Sequence, residues 1–269
     1  MADRAAAAAS AIVPMCVTLL TSRVGSSDDL PAITLPFMPY LERDGDVFIL
    51  YLGNEGETDN ENRFTPDWID SVHSALDEVE AHEGPAALVT TATGKFYTNG
   101  LDTTWIFANI DGLPGYLDKV HTLYTRLLTF PMATVAAIGG HAFGAGAMLA
   151  TSHDFQIMRA DRGFYCLPEV SLNMPFTVGM SALLNSRLPK QAAVEAMTTG
   201  RRFGGADALS AGIVQETVEG DSVLATAVAK AAALTATHGP NLAGIKAGIH
   251  RDLLVDLGRV TDKSNFSFG

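Results

Sequence analysis

The stretch from Pro131 to Pro175 constrains the fold of this chain more than any other. The apolar run Ala133 to Ile138 predicts a buried strand, and a turn rich in glycine follows from Gly139 to Gly146. Small residues from Ala145 to Ala150 then favour a helix, and Phe155 to Met158 can form a second strand. A helix that begins directly after such a turn has unpaired backbone N–H groups, which can bind an anion or an oxyanion.

A single carboxylate follows in an apolar setting. Glu169 is flanked by Leu167, Pro168, Val170 and Leu172. Desolvation by these neighbours would raise the pKa of Glu169 and make its carboxylate a better base. An anion-holding turn combined with one desolvated carboxylate predicts proton transfer at a carbon next to a carbonyl.

Before this stretch, strands and helices alternate. Val47 to Leu52 and Ala86 to Thr91 read as strands, Thr65 can cap a helix that begins at Pro66, and residues 115–129 form a further helix. This alternation predicts an α/β fold with crossover connections.

From about residue 176 onwards the chain is predicted to be mainly helical. The expected elements are helices at 189–198 and 204–211, a short strand at 213–216, a helix from Asp221 to Gly239, and a last helix carrying a stripe from Leu242 to Leu257. Residues 1–39 differ in composition and are interpreted as a flexible or targeting segment. The folded domain is expected to span residues 40–269.

Charge and composition exclude several classes of protein. The net charge of −12 argues against a nucleic-acid surface, and no apolar run is long enough for a membrane span. Cys16 and Cys166 alone cannot make a disulfide framework or a cysteine metal site, and no metal-ligand spacing is present. His141 and His153 are expected to have structural roles.

Three segments together resemble the crotonase, or enoyl-CoA hydratase/isomerase, superfamily. They are FYTNGLD (Phe96 to Asp102), the stretch from Pro131 to Pro175, and TGRRFGGADALSAGIV (Thr199 to Val214). The wording NGLDTTW and HDFQIMRADRGF is most similar to the plant peroxisomal delta-3,delta-2-enoyl-CoA isomerases of that superfamily. The resemblance implies a crotonase-like spiral of strand-strand-helix units followed by a helical C-terminal region.

The resemblance also implies the site residues. Members bind acyl-CoA thioesters and hold a thioester enolate with two backbone N–H groups, which by motif position are those of Leu101 and Ala145 here. Glu169 is the implied catalytic residue. The residues expected to bind substrate are Thr98, Asn99, Gly100, Asp102, Gly144, Pro168 and Leu172. Asp102 has a second interpretation, as a residue that orders its own turn.

The carboxylate pattern separates the activities of the family. Its hydratases use two glutamates, and the first of these positions holds Met148 here while the second holds Glu169. Methionine cannot hold or activate water, whereas a double-bond shift needs only one base. The sequence therefore favours a delta-3,delta-2-enoyl-CoA isomerase. An enoyl-CoA hydratase or other acyl-CoA lyase remains an alternative, as does a non-catalytic acyl-CoA-binding or assembly subunit.

The remaining expectations follow from the resemblance. No cofactor is expected beyond the coenzyme A of the substrate, and no metal. A homotrimer or hexamer is expected. The resemblance implies peroxisomes, although the chain ends at Ser264 to Gly269 without an S-K-L-type signal, so the cytoplasm is the alternative.

Overall fold

The computed structural model describes residues 39–262. The expectations for residues 1–38 and for the end of the chain lie outside the described residues. The proposed domain boundary near residue 40 therefore stays a prediction.

Ten strands form two sheets within residues 39–262. The larger sheet contains, in spatial order, β1 (Tyr40–Asp44), β2 (Val47–Tyr51), β3 (Ala87–Thr91), β5 (Ala133–Ile138), β7 (Phe155–Arg159) and β10 (Glu216–Val218). The smaller sheet contains β4 (Phe96–Thr98), β6 (His141–Phe143), β8 (Tyr165–Cys166) and β9 (Arg202–Phe203).

Ten α-helices accompany the sheets in the same range. They are α1 (Pro66–Glu80), α2 (Thr103–Ala108), α3 (Leu113–Leu128), α4 (Ala145–Thr151), α5 (Val178–Arg187), α6 (Lys190–Thr199), α7 (Gly205–Ser210), α8 (Val223–Ala232), α9 (Pro240–Ile249) and α10 (Arg251–Leu257). Short 3-10 helices lie at Ile110–Gly112, Glu169–Leu172, Gly220–Ser222 and Thr235–Thr237.

The strands and helices follow a repeating order of strand, strand, helix. In the units that begin at β3, β5 and β7, the first strand joins the larger sheet and the second joins the smaller one. Neighbouring strands from β2 to β7 pair in parallel, as do β4, β6 and β8. Every residue of β3 and β5 is buried, which is typical of parallel strands covered on both faces. The predicted α/β class is confirmed.

Helix α1 forms for the reasons that its sequence indicates. The Thr65 hydroxyl accepts a hydrogen bond from the Trp68 N–H at 3.1 Å, and Pro66 occupies the first helical position. The apolar residues at spacings of three and four are buried: Ile69, Val72, Leu76 and Val79. The predicted amphipathic helix is therefore confirmed.

Several predicted elements differ from the structure. The glycine-rich turn contains β6, a strand too short to show any periodicity. The expected last helix is divided into α9 and α10 at His250, where φ is −100° and ψ is 12°. On α9 the predicted stripe does not face the core, since Ile245 and Ile249 are exposed and the buried anchor is Lys246. Its ammonium group binds Asp154 at 2.5 Å and donates to the Met132 carbonyl at 2.7 Å.

Two further boundaries were wrong by several residues. The helix expected to run from Asp221 to Gly239 is α8, which ends at Ala232. The strand expected at 213–216 is β10, which begins at Glu216. The apolar residues Ile213 and Val214 precede this strand and pack into the core directly after Gly212, which has a φ of 71°.

Candidate active site

Two turns at the ends of the small-sheet strands meet backbone to backbone. Gly100 follows β4 with a φ of 77°, and Gly144 follows β6 with a φ of 52°. A Cβ atom on Gly100 would lie 2.6 Å from the Phe143 carbonyl oxygen and 2.9 Å from the Ala145 nitrogen. Only glycine permits both the left-handed backbone and this close approach. The two turns identified in the sequence are therefore adjacent in space.

One N–H group of the first turn is left without a partner. Among hydrogen bonds within residues 39–262, none uses the N–H of Leu101. The other three N–H groups of the turn are bonded: Asn99 N to Glu61 O at 2.8 Å, Gly100 N to Thr98 Oγ1 at 3.0 Å, and Asp102 N to Tyr116 Oη at 3.1 Å. The turn thus presents the Leu101 N–H alone for a ligand.

The second turn provides a matching donor at the start of α4. Ala145 is the first residue of that helix, so its N–H has no acceptor within the helix. The Tyr124 hydroxyl donates to the Ala145 carbonyl at 3.1 Å and fixes the first turn of the helix against α3. Leu101 and Ala145 both line a cavity of about 200 Å³. The pair can hold a developing oxyanion there.

Glu169 lies at the edge of the same cavity. It begins the 3-10 helix Glu169–Leu172, and a Cβ atom on Gly144 would lie 3.2 Å from its Oε1 atom. Its Oε2 atom is buried and has no hydrogen-bond partner among the described residues. Burial raises the pKa of Glu169 to about 7, although a hydrogen bond from its own backbone lowers it in part. This carboxyl group can therefore gain and lose a proton near neutral pH.

The side chains that bury Glu169 come only in part from its neighbours in sequence. Val170 is 48% exposed and Leu172 is 57% exposed, so the expectation that these two flanking residues desolvate Glu169 is wrong. Glu169 instead borders an inner cavity of about 20 Å³ whose other lining residues are Leu101, Leu113, Leu117, Ala145, Met148, Met174, Pro175 and Met180. The apolar surroundings come mainly from α3, α4 and the chain leading into α5.

Met148 holds the position where the resemblance implies the first glutamate of a hydratase. Its side chain is 1% exposed and borders the inner cavity together with Glu169. Glu169 is the one carboxylate among the described residues that line the two cavities. The site therefore combines one carboxylate with the backbone N–H groups of Leu101 and Ala145.

The comparison with protein families agrees with this geometry. Residues 57–263 match the family model described as enoyl-CoA hydratase/isomerase. The chain belongs to the enoyl-CoA hydratase/isomerase family. The resemblance to the crotonase superfamily is thereby confirmed.

Plant relatives support the assignment to this family. The chain is 32% identical over 234 residues to the Arabidopsis thaliana protein named "Enoyl-CoA delta isomerase 2, peroxisomal", covering 82% of this chain and 95% of the relative. It is 33% identical over 232 residues to Arabidopsis enoyl-CoA delta isomerase 3, covering 81% of this chain and 94% of the relative.

The solved structures confirm the crotonase-like fold. Human mitochondrial delta3-delta2-enoyl-CoA isomerase has a TM-score of 0.73 and 23% identity, covering 81% of this chain and 85% of that one. An enoyl-CoA hydratase/isomerase family protein from Pseudomonas syringae has a TM-score of 0.76 and 25% identity, covering 82% and 94%.

The residues expected to bind substrate divide into two groups. Those that line the 200 Å³ cavity are Asn99, Gly144, Pro168 and Leu172. Three others do not line it and belong to the first turn: Thr98, Gly100 and Asp102. Asp102 caps α2, because its Oδ1 accepts from Thr104 N at 2.9 Å and Trp105 N at 3.2 Å. The structure thus supports the turn-ordering interpretation of Asp102.

Four cavity residues were missed by sequence reasoning. They are Arg63, Thr103, Phe143 and Met174. Arg63 pairs with Glu61 at 2.6 Å and donates to the Thr103 hydroxyl at 3.2 Å. Its position depends on a bridge between Phe64 and Leu101, which are distant in sequence, so no local motif could have revealed it. Phe143 and Met174 did lie inside the central stretch and could have been included.

The expected structural role of His153 agrees with its contacts. His153 is fully buried, with Nδ1 2.9 Å from the Leu149 carbonyl and Nε2 2.8 Å from the Thr90 hydroxyl. A carbonyl can only accept, so Nδ1 carries the proton and Nε2 accepts from Thr90. Burial lowers the pKa of His153 to about 4.

Two further kinds of feature are absent from the described residues. Nowhere in residues 39–262 do three potential metal ligands cluster, and none of the helices there has the length and hydropathy of a membrane span.

Proposed function

We propose that this protein is a delta-3,delta-2-enoyl-CoA isomerase, which moves the double bond of an unsaturated fatty acyl-CoA from position 3 to position 2 in fatty acid β-oxidation. The observation that supports this proposal is that one desolvated carboxylate, Glu169, shares a single cavity with Leu101 and Ala145, whose N–H groups have no hydrogen-bond partner among the described residues. The names of the plant relatives support the same activity.

The reaction follows from the roles of these groups. The thioester oxygen accepts hydrogen bonds from Leu101 N and Ala145 N, which stabilises negative charge on that oxygen. Glu169 then takes a proton from C2, and the electrons spread over a dienolate. The same carboxyl group returns a proton to C4, which leaves the double bond at position 2. We propose that no metal or redox cofactor takes part. Once the thioester oxygen is held by the two N–H groups, the thioester itself makes the C2 proton acidic enough for Glu169 to remove.

Hydration is the rival reaction and requires a different site. A hydratase must hold and activate a water molecule, and a second polar group next to Glu169 would be needed for that. Met148 occupies the corresponding place in the inner cavity. The site therefore favours isomerisation over hydration.

Introducing a carboxylate at this place tests the argument. We expect Met148→Glu to produce 3-hydroxyacyl-CoA from 2-enoyl-CoA above the level of the wild type, because two carboxylates could then position water. Chromatography of the acyl-CoA products measures this gain, and Met148→Gln is the matched control without a charge. A folded Met148→Glu protein that binds acyl-CoA and forms no hydration product would contradict the role given to position 148.

The pKa of Glu169 predicts a pH dependence. Because the ionised form takes the proton, kcat/KM for 3-enoyl-CoA should rise with pH to a plateau with a midpoint of about 7. The folded protein binds a proton more tightly at this group than the unfolded chain does. The group's contribution to stability is therefore present below its ordinary pKa of 4.5 and is lost as pH rises through about 7. A kcat/KM that stays constant as the pH rises from 4.5 through about 7 would contradict the assignment of Glu169 as the base.

Parallel assays with two substrates test the function itself. The purified protein is incubated with a 3-enoyl-CoA and, separately, with a 2-enoyl-CoA. Formation of 2-enoyl-CoA from the first and no 3-hydroxyacyl-CoA from the second is the expected result. Rapid hydration of the second would identify a hydratase, and binding without any conversion would identify a non-catalytic subunit.

Assembly and location are part of the same proposal. Two of the plant relatives carry the word peroxisomal in their names, which supports a peroxisomal location. We propose a homotrimer or a hexamer with an acyl-CoA thioester as its ligand.

A further inference from the structure

The segment Glu61–Phe64 pairs with the turn that carries the Leu101 N–H. The Asn99 N–H donates to the Glu61 carbonyl at 2.8 Å, and the Phe64 N–H donates to the Gly100 carbonyl at 2.9 Å. These two bonds join the segment to consecutive residues of the turn, Asn99 and Gly100. The conformation of the turn therefore depends on a segment that precedes it by more than thirty residues.

Asn62, in the middle of this segment, has an unusual environment. Its backbone is left-handed with a φ of 52°, and its side chain is 1% exposed. The Nδ2 group donates to the carbonyls of Phe96 at 3.2 Å and Tyr97 at 3.1 Å. Its Oδ1 atom is buried without a partner among the described residues. Such a strained and partly unsatisfied residue persists where the surrounding structure holds it, often near a functional site.

Thr98 connects Asn62 to the turn. The Thr98 hydroxyl donates to the Asn62 carbonyl at 2.7 Å and accepts from the Gly100 N–H at 3.0 Å. Thr98 is fully buried, so this hydroxyl is shielded from water. A continuous chain of hydrogen bonds thus runs from Asn62 through Thr98 to Gly100, the residue before Leu101.

We propose that Asn62 and Thr98 are positioning residues that fix the Leu101 N–H where the enolate oxygen develops. This inference rests on the proposed function. Neither residue lines the 200 Å³ cavity, so both act through the turn and not by touching the substrate. A hydrogen-bond donor stabilises developing charge only when it is held in place before the reaction.

Asn62→Gly isolates the amide side chain. Glycine tolerates the left-handed backbone and keeps the carbonyl that Thr98 binds, but it loses both Nδ2 hydrogen bonds. We expect kcat for isomerisation to fall about 10- to 100-fold, the effect of a misplaced reacting geometry. Binding of a saturated acyl-CoA should change little, because the cavity lining is intact. Val79→Ala, a buried change at the far end of α1, is the control for lost stability alone.

Thr98 provides a second, closely matched pair of variants. Thr98→Val has nearly the same shape and lacks the hydroxyl, whereas Thr98→Ser keeps the hydroxyl and lacks the methyl group. We expect Thr98→Val to lower kcat by a similar factor and Thr98→Ser to restore most of it. If Asn62→Gly does not fold, this pair of variants still tests the proposed positioning of the Leu101 N–H.

A spectroscopic measurement separates this inference from the proposed function. A bound 3-ketoacyl-CoA forms an enolate that absorbs in the near ultraviolet, and two well-placed N–H donors should lower the pH at which the enolate appears. We expect Asn62→Gly and Thr98→Val to raise that pH relative to the wild type and Thr98→Ser to leave it nearer the wild-type value. If the wild type does not stabilise the enolate, the proposed function fails. If the wild type does, and folded Asn62→Gly and Thr98→Val match it in enolate formation and kcat, the positioning role is overturned.

Discussion

Replacing Glu169 by glutamine is expected to lower kcat for the isomerisation of 3-enoyl-CoA by about 100- to 10,000-fold, the range for loss of a general base. Glutamine keeps the shape of the side chain but cannot take a proton from C2. Glu169 is the one carboxylate among the described residues that line the two cavities, so no second base can replace it. A coupled assay of 2-enoyl-CoA formation measures the loss.

Two controls make this result specific. Binding of a saturated acyl-CoA to Glu169→Gln should stay close to that of the wild type, since the cavity and both backbone donors are retained. Glu78→Gln, on the exposed side of α1, tests whether removing one exposed carboxylate from this acidic chain changes kcat. Turnover by Glu169→Gln within a few-fold of the wild type would exclude Glu169 as the base.

Ala145→Pro is expected to reduce turnover by about a hundredfold or more, because proline removes the backbone donor that the enolate oxygen requires. The first position of a helix tolerates proline, so α4 itself can still form. The Ala145 nitrogen, which would carry the proline ring, lies 2.9 Å from where a Cβ atom on Gly100 would be.

The control for this second variant is Ala145→Gly. It keeps the N–H group and should retain most of the turnover that Ala145→Pro loses. Thermal unfolding and binding of a saturated acyl-CoA show whether each variant is folded and occupied. An Ala145→Pro protein that passes both checks and turns over normally would show that this donor is not used.

Long elements could be predicted because their patterns are local. The spacing of Ile69, Val72, Leu76 and Val79 defines one face of α1, and the unbroken apolar run from Ala133 to Ile138 defines a strand buried on both faces. Three-residue strands such as β6 contain too few residues for any period to appear. The division between α9 and α10 was missed because α9 is anchored by buried Lys246, which a hydrophobic stripe cannot reveal.

The candidate site shows the same limit. The two glycine turns and Glu169 belong to compact motifs, and their residues are adjacent in the structure as well. What surrounds Glu169 is not local: Leu113 and Leu117 come from α3 and Met180 comes from α5. The bonds between Asn62 and β4 likewise join residues 34 and 35 positions apart. Such contacts are set by the packing of the whole domain and not by neighbouring residues.

The most direct test of a single-base isomerase follows the proton itself. The buried Oε2 atom of Glu169 is shielded from solvent, so a proton taken from C2 should reach C4 before it exchanges completely with water. A 3-enoyl-CoA carrying deuterium at C2 is therefore converted by the wild type, and the 2-enoyl-CoA product of the first turnovers is examined by NMR and mass spectrometry. We predict deuterium at C4 of that product. Product with no deuterium at C4 even in the first turnover, or no 2-enoyl-CoA at all, would contradict the proposed reaction.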